Sequence, residues 1–158
     1  MNFLYNIELM NTLHIQQKLK ELQRTVNSFG YNYEITLGFD EFLHCTMGEG
    51  VFTKLKGTYP AIDIPQLHFL PVTEMEFWKT IDETLRAEGD LKPRGLEKIR
   101  LLVSDLTQTM GALIPPASKF YYSDLPNGIP GYPVWWDFSF VIETTSGVCF
   151  FMYGSASD

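Results

Sequence analysis

Residues 136–153 read WDFSFVIETTSGVCFFMY, and this stretch decides the fold. Trp136, Phe138, Phe140 and Ile142 take alternate positions, while Asp137, Ser139 and Glu143 fill positions between them. A period of two belongs to a strand, because successive side chains point to opposite faces. Thr145, Ser146 and Gly147 supply turn chemistry, and residues 148–153 return as an apolar partner, so the stretch predicts an antiparallel hairpin. Phe138, Phe140 and Ile142 should be buried, with Asp137 and Ser139 comparatively exposed.

Upstream lies a loop over residues 115–134, stiffened by Pro115, Pro116, Pro126, Pro130 and Pro133 and turned at Asn127-Gly128, with room for a strand at 119–122. Three helical patterns precede it. Ile15, Leu19, Leu22, Val26 and Phe29 keep three-four spacing, with Gly30 placed to end the helix. Thr73 and Glu76 form a capping box for a second helix, which buries Trp78, Ile81 and Leu85 and stops at Gly89. Pro93 opens a third, where Leu96, Ile99, Val103, Leu106 and Met110 continue the same spacing.

Between these helices, residues 31–37 read as a strand bounded by Gly38. Residues 40–47 allow a helical turn or two, 51–55 read as a strand, and 67–70 leave room for a short one. Residues 1–9 fit either a strand or a lead-in to the first helix. Strands do not alternate regularly with helices. The expected architecture is therefore α+β: a mostly antiparallel sheet with a C-terminal hairpin and about three helices packed on one face. No repeat, low-complexity tract or linker divides the 158 residues, so 1–158 should form a single globular domain.

The chain carries 12 Lys and Arg against 19 Asp and Glu, a net charge of -7. Nucleic acid and anionic membranes call for clustered bases, and here they are scattered, which argues against both as partners. No run approaches the length of a membrane helix. The first lysine is Lys18, and Glu8 interrupts the early apolar stretch, unlike a secretory signal. Only Cys45 and Cys149 are present, too few for a disulfide scaffold, and both should be free. A cytoplasmic location is expected.

Catalytic signatures are wanting. Gly48 and Gly50 lack the third glycine of a dinucleotide loop, and no nucleophile elbow occurs. Cys45 adjoins His44 near Asp40 and Glu41, but sequence neighbours seldom face each other as nucleophile and base. Asp40 and His44 would share a face only on a helix; with His68 they make at most a sparse metal set. The acids at 82–90 fall on the polar side of a capped helix. No cofactor or metal is expected, and an enzyme is the less favoured class.

One asymmetry remains. After Lys119 the chain has no Lys, Arg or His, yet nearly half its aromatics lie there beside Asp124, Asp137 and Glu143. Tyr121, Tyr122, Asp124, Tyr132, Trp135 and Asp137 would together suit a surface that docks a basic protein, with aromatic anchors and no competing cation. The reading is a small acidic protein-binding module that captures and neutralises a basic partner. Its build is similar in size and charge to bacterial toxin-immunity proteins, with no shared motif. The alternative is an enzyme or small-molecule-binding protein with a pocket between the sheet and loop 115–134, drawing on Cys45, His44 or His68.

Overall fold

The hairpin at 136–153 forms as its alternation requires and lies inside a larger sheet. The computed structural model describes residues 3–29, 34–62, 65, 67–86, 93–125 and 136–157. Along the chain these give α1 (Phe3–Asn27), β1 (Glu34–Leu43), α2 (Glu49–Thr58), β2 (Leu70–Val72), α3 (Glu74–Leu85), α4 (Pro93–Leu113), β3 (Lys119–Ser123), β4 (Trp136–Glu143) and β5 (Val148–Ser157). The five strands are ordered β1-β5-β4-β3-β2, and every neighbouring pair is antiparallel. The fold is α+β, with four helices among the described residues.

Three helices cover one face of the sheet. Ile15, Leu19, Leu22 and Val26 of α1, Phe77, Ile81 and Leu85 of α3, and Ile99, Val103, Leu106 and Met110 of α4 meet Leu37, Phe39, Phe120, Phe138, Phe140, Ile142 and Met152 in one core. The capping box of α3 is formed: Glu76 N–H donates to Thr73 Oγ1 at 3.2 Å, and Thr73 N–H donates to Glu76 Oε2 at 2.7 Å. Two backbone donors at the helix start are thereby satisfied. Trp78, expected in the core, is only partly buried; its neighbour Phe77 is the fully buried residue.

The other face is covered as well. Residues 49–58, of which 51–55 were expected as a strand, form α2, and the four-residue spacing of buried Val51 and Leu55 is helical. They pack on Phe42, Val141, Cys149 and Phe151 in a second core. A second cover overturns the expected exposure of Ser139. It is fully buried, and its hydroxyl donates to the Ser123 carbonyl at 2.6 Å. It also explains why residues 148–153 of β5 read as an apolar run: a strand covered on both faces has no solvent side to mark with polar residues. The other differences are local. Residues 40–43 continue β1 rather than beginning a helix, β1 runs through Gly38, the short strand falls at Leu70–Val72, and residues 3–9 belong to α1. Gly30 and Gly89 lie outside the described residues.

β1 is an edge strand, and α1 closes it with amide side chains. Asn27 accepts from Ile35 N–H at 2.9 Å and donates to the Ile35 carbonyl at 3.2 Å. Gln23 accepts from Leu37 N–H at 3.0 Å, and Gln16 donates to the Phe39 carbonyl at 2.8 Å. These groups would otherwise offer a template to another strand. Among the described residues no helix is long and apolar enough to cross a membrane.

Candidate functional site

Tyr121 and Tyr122 are neighbours in β3, so the strand sends them to opposite faces. Tyr122 lies on the three-helix side, its ring 5.1 Å from that of Phe140, and its hydroxyl donates to Asp124. Burial first, then the bond to Asp124 and the charges of Asp124 and Asp137, push the Tyr122 phenol well above its ordinary range. It therefore stays a neutral donor. Tyr121 lies on the α2 side, where its hydroxyl donates to Glu143 Oε2 at 3.3 Å. Glu143 also accepts from Met47 N–H at 2.9 Å and stands 3.7 Å from Lys119 Nζ, which makes it a structural tie.

Asp137 accepts the Leu125 N–H and so fixes where the chain leaves β3. It is partly buried, and that burial raises its carboxyl; the Leu125 N–H works the other way, and the Asp124 charge raises it further. Asp124 is exposed. Neither acid forms an ion pair among the described residues. Of the six expected surface residues, the structure thus bonds Tyr122 to Asp124, leaves Asp137 close enough for its charge to act on both, and places Tyr121 on the other face. Tyr132 and Trp135 lie outside the described residues, as does the second part of the loop expected to wall a pocket, residues 126–134.

The two cysteines, remote in sequence, meet where β1 ends and β5 begins. Cys149 Sγ donates to the Cys45 carbonyl at 3.3 Å, and Cys45 N–H donates to the Gly147 carbonyl at 2.9 Å. Both are free and buried. Burial raises both thiols, Cys149 to about 12. His44, held at φ 51, and His68 are exposed. Asp40 and His44 do not share a helical face, since Asp40 is in a strand, and no three His, Cys, Asp or Glu lie together as metal ligands among the described residues. A thiol reagent at neutral pH is expected to label the native protein very slowly and to titrate two thiols once it is denatured without reductant. Rapid native labelling would contradict the burial, because the reactive species is the thiolate.

Two concavities had no place in the sequence reading. An open groove of about 850 Å³ runs between α3 and α4, lined by Met75, Trp78, Asp82, Thr107 and Gly111 among others. A smaller cavity of about 210 Å³ lies at the β1 edge, where Gln16 and Lys20 of α1 face Gly38, Asp40, Tyr59 and Tyr153. Gly38 is the signal for the second. A glycine inside a strand often marks a close approach of another group to the backbone, and a Cβ there would overlap the Tyr153 ring.

No protein-family model and no curated protein matches the sequence. Among solved structures, the chain is similar to citrus MAF1 in two crystal forms. In space group C 2 2 21 the TM-score is 0.57 at 14% identity, over 87% of this chain and 97% of that one. In space group P 31 2 1 it is 0.58 at 13% identity, over 88% and 96%. At that identity the likeness is one of fold, and it extends over nearly the whole of the citrus chain.

Proposed function

We propose that the chain is a cytoplasmic protein-binding module that captures a basic protein and neutralises it, in the manner of a bacterial immunity protein. The observation that supports this reading is the pair Asp124 and Asp137 at the β3–β4 end, Asp124 bonded to the Tyr122 hydroxyl and Asp137 to the Leu125 N–H, with no cation paired to either acid among the described residues. The overall charge of -7 works in the same direction, drawing a basic partner toward the surface. Asp137 holds Leu125 in place, so reversing its charge would disturb the chain's path. Asp124 is exposed, and its reversal gives up only the bond from the Tyr122 hydroxyl while it probes the surface, a cost of about 0.5–1.5 kcal/mol.

The test is retention of proteins from native lysate by wild-type and Asp124→Lys chains side by side at low salt. A basic protein held by the wild type and lost from the variant is the expected result. Equal retention by both folded chains would remove Asp124 from the interface.

A further inference from the structure

We propose that the cavity at the β1 edge is a binding site for a single aliphatic ammonium or guanidinium group. It lies on the first strand of the order β1-β5-β4-β3-β2, away from the β3–β4 end, so its fate is separate from that of the Asp124 surface. Its walls are built from elements distant in sequence. Gly38 leaves room for the Tyr153 ring to lie across the strand. Tyr59, the residue that ends α2, places its ring 5.3 Å from that of Tyr153 at 80°. Two aromatic walls thus meet nearly at right angles, with Asp40 beside them.

Asp40 gives the site its sign. It is partly buried and forms no ion pair among the described residues. Its carboxylate accepts the Tyr59 hydroxyl, which occupies one of about four lone-pair positions. Burial raises its carboxyl, the mark of a charge removed from water without an opposite charge in return. The Gln16 amide nitrogen is committed to the Phe39 carbonyl, so the oxygen of that amide is the end left for a donor. A carboxylate, an amide oxygen and two π-faces are complementary to a cation with several N–H donors. An anion would meet Asp40, and a neutral group would leave that charge uncompensated.

Size narrows the occupant. About 210 Å³ is below the ~300–1,000 Å³ of pockets for drug-sized ligands, and it suits one cationic head with a short alkyl stem. Two sources share this chemistry: a lysine or arginine side chain of a partner protein, or a free small amine. Lys20, exposed at the rim, is the cation of the chain itself that competes for the site.

The experiment is an amide-resolved NMR titration of the full chain with n-butylguanidinium, with its neutral isostere n-butylurea, and with the capped peptide acetyl-Gly-Arg-Gly-amide. Butylguanidinium should shift the Gly38 and Asp40 amides saturably, and butylurea should not. A matching response to the peptide assigns the site to a partner's side chain; a response to butylguanidinium alone assigns it to a free cation. Asp40→Asn should weaken binding by about tenfold, as loss of a partly buried charge partner does. Lys20→Ala, at an exposed position, should tighten it. Absence of saturable shifts, equal affinity in Asp40→Asn, or unchanged or weaker binding in Lys20→Ala would each overturn the proposal. The Lys20 variant keeps the test open should Asp40→Asn fail to fold.

Discussion

Phe77→Ala is expected to lower stability by about 3–5 kcal/mol, the usual cost of removing a buried phenylalanine ring. The ring is fully buried and meets three others: Trp78 at 4.7 Å, Phe120 at 4.9 Å and Phe140 at 4.9 Å. Phe120 and Phe140 belong to paired strands, so Phe77 is where α3 is fastened to the sheet. With 12 residues, α3 is too short to hold its helical form without that packing. Removing the ring leaves a cavity beneath the helix that Phe120 and Phe140, themselves buried, cannot fill. A loss of this size is a large part of the ~5–15 kcal/mol that holds a typical domain together. Trp78→Ala should cost clearly less, because Trp78 is only partly buried. Denaturant unfolding of both variants checks this, and a Phe77→Ala loss below about 1 kcal/mol would mean that α3 is not fastened through this ring.

Gly154→Val should cost stability at or above the upper end of the ~1–3 kcal/mol usual for overpacking. Gly154 lies in β5 directly opposite Phe138 of β4 and Leu37 of β1. A Cβ at this position would sit 2.5 Å from Phe138 Cε1 and 2.9 Å from Leu37 Cδ2. Phe138 has no exposed surface and is stacked on Trp136, with ring centroids 6.3 Å apart, so it has nowhere to retreat. Shortening the obstructing side chain should return part of the loss. Phe138→Leu combined with Gly154→Val is expected to be less destabilised than the two single losses added together, with a coupling of about 0.5–3 kcal/mol between contacting residues. Strict additivity would show that the glycine is not there to admit the Phe138 ring.

How far the sequence carries depends on whether a signal is local. The alternation through Trp136, Phe138, Phe140 and Ile142, the three-four spacing of α1 and α4, and the Thr73–Glu76 capping box are all local, and each forms its element. Residues 49–58 are a different case. Val51, Phe52 and Thr53 have strand propensity and glycines flank them, yet burial of Val51 and Leu55 against the far side of the sheet makes the segment a helix. Tertiary packing decides such a segment, and propensity is only a weak prior. The apolar run Val148, Cys149, Phe150, Phe151, Met152 already signalled two covered faces, and with them the burial of Ser139.

The candidate surface divides in the same way. Asp124 and Tyr122 are two residues apart and meet, but adjacent Tyr121 and Tyr122 could never share a face of one strand. The β1-edge cavity needs Tyr59 of the α2 end and Tyr153 of the last strand beside Asp40. No spacing along the chain announces that meeting, and Gly38 is its only local trace.

Capture of a basic protein through the acidic β3–β4 end is read out by association kinetics. The basic protein retained by the wild-type chain is mixed with wild-type and Asp124→Lys chains at several salt concentrations, and the melting temperature of each is recorded. Steering by surface charge is screened over about 10 Å at 0.1 M salt, so its contribution should be greatest at low salt. Slower association for Asp124→Lys at low salt, a flatter dependence on salt and a nearly unchanged melting temperature are expected. Association as fast as wild type at low salt, by a variant that melts near the wild-type temperature, would rule out capture through this end.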